Sequence, residues 1–347
     1  MKHSATAPRR ILRNVIISLL VLLLLIALLL LGVRLYFRLP LSDYYRASEV
    51  AFRIPGLSEG FIPQGLDFDE ENGLWLVTGY QKDGGAAPLY LLDEDGTQQK
   101  KLLFALSDGT PYLGHAGGLA LRGDRLYLAG GEDGCVHVYA YSALLDASDG
   151  SSVPAMGSIS TARSEEDCLG PAFVTIAKNA LIVGEFYRAG DYPTPDNHIV
   201  ECASGDTHRA LALVYPLDQT EALGVSPAPT LAYALPAQVQ GMYFSEGNWY
   251  LSSSWGLSRS VISVYDDARL ARENDVTLLG YTLPCYSLSA DSHVSAVQFP
   301  PMAEEIVVRN GKLYVMNESA SRKYVFGMFT GGNRCYATDL SYILPPV

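Results

Sequence analysis

Three observations predict the fold class. One two-strand pattern recurs five times between residues 60 and 320, an apolar run stands near the N-terminus, and no long amphipathic helix follows residue 47. Short antiparallel units that repeat in this way, none of which can bury a face alone, are typical of a β-propeller. We therefore expect an all-β fold, a β-propeller of five or six four-stranded blades over residues 49–347, preceded by one transmembrane helix.

The apolar run covers residues 15–33 and is interrupted only by Ser18 and Gly32. At about 1.5 Å per helical residue it measures roughly 28 Å, enough to cross the hydrocarbon core of a bilayer. The alternative is a cleaved signal peptide, whose apolar core is about 7–15 residues long and ends at a small-residue cleavage site. Because no Ala-x-Ala pattern follows the run, we predict an uncleaved signal anchor, with the lipid bilayer as its partner.

Charge divides the chain of 347 residues at the end of this segment. Residues 1–46 contain seven Lys or Arg and one acid, Asp43, and carry a charge of +6, which leaves 18 basic and 36 acidic residues, or −18, in the remainder. A body this acidic repels phosphate backbones and excludes nucleic acid as a partner. The positive-inside rule predicts a cytoplasmic basic tail (1–14), a membrane span (15–33), a juxtamembrane linker (34–48) and an extracytoplasmic domain (49–347) in the cell membrane.

Each copy of the repeat has an inner strand, a Gly- or Asn-containing turn and a second strand. Counted from one equivalent residue of the inner strand, the copies begin at 65, 118, 174, 241 and 305. An irregular β-sandwich with unrelated hairpins is the alternative, which five copies of one pattern disfavour. A sixth blade would fall in 187–238 or 266–300. We expect 187–230 to be an inserted loop, 266–274 a short helix, and the ring to close between residues 50–54 and a strand around 340–344.

Five cysteines have an oxidising environment if the domain is exported. Cys135 lies in a strand pattern and is predicted to be a small core residue. One of many possible disulfide pairings joins Cys168 to Cys202 and Cys285 to Cys335, and these bonds would cross-link loops. Because no pair has Cys-x-x-Cys spacing, a structural zinc site is not indicated.

Propellers bind ligands on their axis, so the ends of the repeated strands are the candidate site positions. At these positions an apolar side chain would be sufficient for packing, yet most residues here are polar, acidic or aromatic, which is typical of a small-molecule pocket. The inner strands start at Gln64, at Gly117 (preceded by His115), and at Phe173, Gln240 and Glu304, and the second strands end at Tyr80, Glu132, Glu185, Trp255 and Glu318.

Two kinds of chemistry suit these residues. His115, in Gly114-His-Ala-Gly-Gly118, is a candidate general base or metal ligand, or else a histidine hydrogen-bonded to a neighbouring loop. Glu185, Glu304 and Glu318 together are candidate ligands for a hard cation such as Ca²⁺; the alternative is that each caps a loop. Strand alternation aims only one of Glu304 and Glu305 at the axis.

Two segments, Pro63-Gln-Gly-Leu-Asp-Phe-Asp69 and Pro301-Met-Ala-Glu-Glu-Ile-Val-Val308, carry a family resemblance. They are similar to strand starts of exported bacterial β-propellers, distantly those of the senescence-marker/gluconolactonase and strictosidine-synthase-like group. The resemblance implies an axial divalent metal, commonly calcium, and the opening of lactones or hydrolysis of esters. Gln64 and Gln240 stand where that group often carries Glu.

Two functions follow from the sequence. The first is an anchored extracytoplasmic propeller that binds a small molecule, a glycan or an envelope protein, with Gln64, Tyr80, Gln240 and Trp255 in contact with the ligand. The second is a calcium-dependent hydrolase or lactonase in which Glu185, Glu304 and Glu318 hold the metal and His115 acts as the base. The sequence favours binding, because it shows no nucleophile motif.

Overall fold

The computed structural model of the chain describes residues 6–344. It begins with helix α1 (Thr6–Arg38), which passes through a 3-10 turn (Leu39–Leu41) into helix α2 (Ser42–Arg46). The helical stretch Arg10–Arg46, 37 residues long, contains an 18-residue window of mean hydropathy 3.4, none of it buried against protein. By length and composition, this is one helix that can cross a membrane.

Five antiparallel sheets follow, and each is a blade. Blade 1 consists of Phe61–Asp69, Leu74–Gln81, Pro88–Asp93 and Gln98–Ala105. Blade 2 consists of Leu119–Arg122, Arg125–Ala129, Cys135–Ala140 and Gly157–Ser160. Blade 3 consists of Pro171–Ala177, Ala180–Glu185, Ala210–Pro216 and Leu231–Leu235. Blade 4 consists of Val239–Ser245, Asn248–Ser253, Ser260–Asp266 and His293–Phe299. Blade 5 consists of Ala303–Arg309, Lys312–Asn317, Arg334–Asp339 and Ser48–Arg53.

Smaller elements decorate the blades. Ser152–Pro154 adds to the outer edge of blade 1 in parallel, and Cys285–Ser287 with Ala271–Arg272 extends blade 3. Two hairpins form separate two-stranded sheets, one of Val200–Glu201 with Thr207–His208 and one of Val276–Leu278 with Tyr281–Leu283. The remaining helices are short: α3 (Tyr141–Asp146), α4 (Leu340–Ile343) and 3-10 turns at Leu57–Glu59, Gly131–Asp133, Asp196–His198, Asp267–Arg269 and Gly327–Phe329.

The turns explain why the repeated pattern forms tight hairpins. In blades 3, 4 and 5 two residues join the inner and second strands, and both have positive φ: Lys178 and Asn179, Glu246 and Gly247, Asn310 and Gly311. Two successive residues of positive φ make a type I′ turn, whose twist matches that of the strands it joins. The Gly and Asn residues of the repeat are therefore the residues that the turn requires.

Packing between the blades closes the ring. One apolar cluster lies between each adjacent pair, and the cluster between blades 5 and 1 holds Phe52 and Trp75. Around the axis the inner strands approach so closely that a Cβ on Gly118 or Gly241 would lie 2.8 Å from atoms of Glu305. Glycine is the residue that allows this approach.

The prediction of a propeller is confirmed, with five blades, and all five predicted inner strands are present. Residues 187–238 contribute two strands to blade 3 and residues 266–300 contribute the outer strand of blade 4, so neither stretch forms a sixth blade. The predicted inserted loop therefore ends before Ala210. Residues 266–274 contain a 3-10 turn and a two-residue strand in place of the expected helix.

Ring closure was predicted with the correct N-terminal strand and the wrong partner. Ser48–Arg53 pairs with Arg334–Asp339, whereas residues 340–343 form helix α4. The side chain of Asp339 accepts a hydrogen bond from the Ser341 amide (2.8 Å), which caps that helix and ends the strand.

The five cysteines are free in the described structure. The suggested bridges between Cys168 and Cys202 and between Cys285 and Cys335 do not form. Cys202 and Cys285 belong to the apolar cluster of blades 2 and 3, whereas Cys335 belongs to that of blades 5 and 1. Cys135 is half-buried rather than in the core.

Candidate functional site

Most of the predicted positions share one end of the ring, which we call the mouth face. The start of each inner strand pairs with the end of the second strand there, as in Ile62 with Tyr80 and Pro171 with Glu185. Blades 1, 3, 4 and 5 carry a β-bulge at the same place, just inside the inner strand. A bulge leaves a residue without a ladder partner and re-aims its side chain. Gln64, Gln240, Glu304 and Glu305 are such residues.

Glu304 and Glu318 form a carboxyl pair at the axis, in which Glu304 is buried and Glu318 is half-buried. Glu304 is 1% exposed, and its Oε1 has no hydrogen-bond partner. Burial, together with the nearby Glu318 charge, raises the pKa of Glu304 well above its usual value. Desolvation also raises the pKa of Glu318, against the hydrogen bonds from Tyr324 and Gln64. Two interacting carboxyl groups titrate as a unit, so the pair keeps a proton at a pH at which separate carboxylates have lost theirs.

The residues that face this pair come from blade 1 and from the blade-5 loop, which we define as residues 318–333. Gln64 Nε2 donates to Glu318 Oε2 (3.0 Å), and the Tyr324 hydroxyl donates to Glu318 Oε1. Lys323 Nζ donates to the Tyr80 hydroxyl (2.5 Å) and lies 5.1 Å from the centre of the Tyr80 ring and 5.5 Å from that of Tyr324. We call this set the axial mouth: Gln64, Tyr80, Glu304, Glu318, Lys323 and Tyr324.

The blade-5 loop reaches across the mouth to blade 1. Lys82 Nζ donates to the carbonyl of Arg322 (2.9 Å), which fixes the loop beside Lys323. Burial, with the charges of Glu318 and Glu304, raises the pKa of Tyr80, so its hydroxyl stays protonated at any physiological pH. The mouth is therefore lined by neutral phenols and a carboxyl pair, and an ammonium group already occupies its rim.

His115 lies beside the axial mouth. Its imidazole packs edge-on against the Tyr80 ring, with centroids 4.6 Å apart and planes at 74°. Tyr80 thus contacts both His115 and Lys323. The assignment of His115 as a general base or metal ligand stays a prediction.

Glu185 is positioned differently from the other two predicted metal ligands. It is 3% exposed, and its Oε1 accepts from His198 Nδ1 (2.6 Å) and from the Leu211 amide (2.8 Å). Burial raises the pKa of Glu185, although the bonds from His198 lower it in part. Its partners lie in the insertion and third strand of blade 3, so its hydrogen bonds tie that insertion to the blade.

The donor set does not fit the calcium site that the family resemblance implies. Within residues 6–344, apart from the side chains not described, no three or more His, Cys, Asp or Glu side chains form a group that could hold a metal ion. Ca²⁺ requires six to eight oxygen ligands, and here Glu318 is engaged by Gln64 and Tyr324 while Glu185 is engaged by His198. The predicted grouping of Glu185, Glu304 and Glu318 is therefore not formed.

Trp255 and Gln240 lie outside the axial mouth. Trp255 is half-buried in an aromatic cluster with Phe186 (centroids 6.1 Å apart) and Tyr192 (5.6 Å), and the Arg188 guanidinium lies 4.2 Å from the centre of its ring. Gln240 is half-buried on the inner strand of blade 4. Their proposed contact with a ligand stays a prediction, and the side chain of Glu132 lies outside the described part.

Two further acids lie beside these groups: Glu305, which the sequence offered only as the alternative to Glu304, and Asp67, which was not a candidate. Glu305 is as buried as Glu304, because the bulge suspends the alternation that would have turned one of them away. Its Oε2 accepts from the amides of Leu66 (2.8 Å) and Leu119 (2.9 Å), and burial raises its pKa well above the usual value. Asp67 Oδ2 accepts from the Leu121 amide (2.7 Å), and burial raises its pKa to about 7. Asp67 thus links blade 1 to blade 2, and Glu305 links blade 5 to both of them.

A separate cavity of about 460 Å³ opens at the other end of blades 2 and 3. Its lining residues include Arg122, Arg125, Asn179 and Gln219. None of the predicted site residues lines it, so the axial mouth remains the site that the sequence points to.

Comparison with known proteins adds little beyond this geometry. No family model and no curated protein matches the chain. Among solved structures, the PQQ-bound aldose sugar dehydrogenase of Streptomyces coelicolor is 11% identical, with 83% of this chain and 95% of that chain covered and a TM-score of 0.46. Hydrazine synthase of Kuenenia stuttgartiensis is 11% identical (74% and 80% covered, TM-score 0.39), and BamB of Moraxella catarrhalis is 9% identical (80% and 83%, TM-score 0.34). At these scores the matches carry no functional argument, and the assignment of a five-bladed propeller rests on the strand pairing described above.

Proposed function

We propose that this chain is a membrane-anchored extracytoplasmic propeller that binds a small amine at its axial mouth. The observation that carries the proposal is the position of Lys323, whose ammonium lies over the rings of Tyr80 and Tyr324 beside the Glu304–Glu318 carboxyl pair. Aromatic faces and carboxylates together are the surroundings that favour organic cations. The side chain of Lys323 is exposed and can leave, so a ligand amine can take its place.

Glu304 supplies the specificity in this proposal. Its Oε1 is buried without a partner, and an unsatisfied buried polar atom costs about 1–3 kcal/mol. A ligand that donates a hydrogen bond to this atom recovers that free energy. Of the occupants left open by the sequence, a small amine fits this requirement better than a glycan or an envelope protein, because it supplies both a positive charge and a donor.

Anchoring is the second part of the proposal. An apolar helix of this length with a basic flank at residues 1–14 suits a span over 15–33, an N-terminus inside the cell and a propeller outside. The linker 34–48 is held to the ring, since Leu41 and Tyr44 belong to the apolar cluster of blades 4 and 5. We do not propose a calcium-dependent hydrolase, because the donor set described above does not fit the metal.

The test compares butylamine, whose ammonium carries N–H donors, with its neutral isostere 1-butanol on the full chain in detergent, by calorimetry and thermal shift. We expect butylamine alone to bind, Glu304→Gln and Glu318→Gln to weaken binding at least tenfold, and Lys323→Met to strengthen it by removing the internal competitor. Glu71→Gln, an exposed acid at the other end of blade 1, is the matched control and should leave binding unchanged. Equal responses to the two isosteres, or no response even with Lys323→Met, would contradict the proposal.

A further inference from the structure

The blade-5 loop carries an apolar tip that the ring does not cover. Val325 is 80% exposed, Phe326 53% and Met328 71%. The loop itself is anchored, since the Thr330 hydroxyl bonds to Ser319 (2.8 Å) and to the Gly327 carbonyl (2.6 Å). Three large apolar side chains are thus presented together by a loop of fixed backbone, an arrangement that marks an interaction surface.

This tip lies beside the end of helix α1. Arg38, the last residue of α1, donates to the Tyr336 hydroxyl (3.3 Å), and the Tyr45 hydroxyl donates to the Thr330 carbonyl (3.0 Å). A Cβ on Gly331 would lie 2.9 Å from the Arg38 guanidinium. The helix therefore meets the ring at the root of the blade-5 loop, on the mouth face.

The region around the tip differs from the rest of the domain in the sign of its charge. Residues 319–338 contain no Asp or Glu but include Arg322, Lys323 and Arg334, within a body of net charge −18. Arg34 and Arg38 add positive charge on the adjoining helix end. An apolar tip surrounded by basic side chains is typical of an interfacial membrane contact, in which apolar groups enter the lipid and cations meet anionic headgroups.

We infer that the tip Val325–Met328 inserts into the interfacial layer of the same bilayer that helix α1 crosses. This inference rests on the proposed anchor. Two contacts, the helix and the tip, then fix the tilt of the ring and hold the axial mouth close to the lipid surface. The occupant is the lipid bilayer because the tip continues the surface of the anchoring helix.

Depth-dependent quenching tests the inference on the full chain. Cys135→Ser and Cys168→Ser remove the two partly accessible thiols, and a single NBD label is placed at Met328→Cys, at Ile26→Cys within α1, or at Asp95→Cys in an exposed turn at the opposite end of blade 1. The proteins are reconstituted in nanodiscs of phosphatidylcholine and phosphatidylglycerol with and without doxyl-labelled lipid. We expect quenching at positions 26 and 328 of at least twofold and none at 95. Phe326→Asp should abolish quenching at 328 and leave that at 26 unchanged.

Each other outcome overturns the inference in a recognisable way. Quenching at 26 with a water-exposed label at 328 would show an anchored ring whose tip does not touch lipid. A blue-shifted but unquenched label at 328 would show a protein contact, such as a second copy. No quenching at 26 would remove the anchoring part of the proposed function and the tip contact that rests on it, whereas amine binding at the axial mouth would stand or fall by its own test.

Discussion

Asp67 should make the stability of the ring depend on pH near neutrality. It is half-buried on the inner strand of blade 1, where Oδ1 accepts from the Phe68 amide (2.8 Å) and Oδ2 from the Leu121 amide (2.7 Å). Burial outweighs these bonds and raises the pKa to about 7, from 3.8 for an unperturbed group. Between these two pKa values, the native state thus holds a proton on Asp67 that the unfolded chain has released.

The sign and size of this pH dependence follow from the thermodynamic linkage between protonation of Asp67 and folding. Because the folded pKa lies above the unfolded one, the contribution of Asp67 to the free energy of unfolding is highest below pH 4 and falls as the pH rises from about 4 to about 7. A difference of roughly three pKa units corresponds to at most about 4 kcal/mol, at about 1.4 kcal/mol per unit. Asp67→Asn removes the titration, so its stability relative to the native chain should rise by up to that amount between pH 4.5 and 8.

Urea unfolding of the full chain in detergent measures this difference and is followed by tryptophan fluorescence, to which the buried Trp75, whose ring packs 4.7 Å from that of Phe68, contributes. Asp95→Asn, which removes an exposed acid from the same blade, is the control and should shift the curve equally at every pH. If Asp67→Asn and the native chain gave parallel profiles from pH 4.5 to 8, the assigned role of Asp67 would be wrong.

Two further predictions concern the packing of the blades. Gly79→Ala should lower the free energy of unfolding by about 3 kcal/mol, because the new Cβ would lie 2.0 Å from the Ile62 carbonyl oxygen. Gly170→Ala is the control and should be close to neutral, because its new Cβ would meet nothing within 4 Å. An equal loss of stability for the two variants would contradict the reasoning. His198→Ala should cost about 3 kcal/mol because it leaves Glu185 buried without its partner. Adding Glu185→Gln should recover part of that loss in the same urea titrations, whereas no recovery would show that lost packing alone is responsible.

The repeat could be found in the sequence because its information is local. A two-residue turn such as Asn310-Gly311 needs residues that tolerate positive φ, and the flanking strands show their apolar residues directly. The same local pattern identified which strand ends reach the mouth face. This is why the sequence alone predicts Gln64, Tyr80, Glu304 and Glu318 as site residues, and why the structure brings them together.

The remaining features depend on pairings between distant parts of the chain. Lys323 meets Tyr80 across 243 positions, and nothing in either segment signals the other. The bulge that buries Glu304 and Glu305 together breaks the alternation on which strand reasoning depends. For Glu185 the repeat pattern pointed to the axis, because this residue ends a second strand. The structure instead shows its carboxylate bonded to His198, which lies in the insertion of blade 3 and carries no signal in the repeat.

The closure of blade 5 has a consequence for biogenesis. Its outer strand, Ser48–Arg53, is made directly after the helix, whereas its partner, Arg334–Asp339, is made after all the strands of blades 1 to 4. The strand Ser48–Arg53 therefore stays unpaired until the other four blades have been synthesised. A chain truncated before residue 334 would leave that edge open, where chaperones and proteases can recognise it. Synthesis through residue 339 is in this way a condition for a sealed ring.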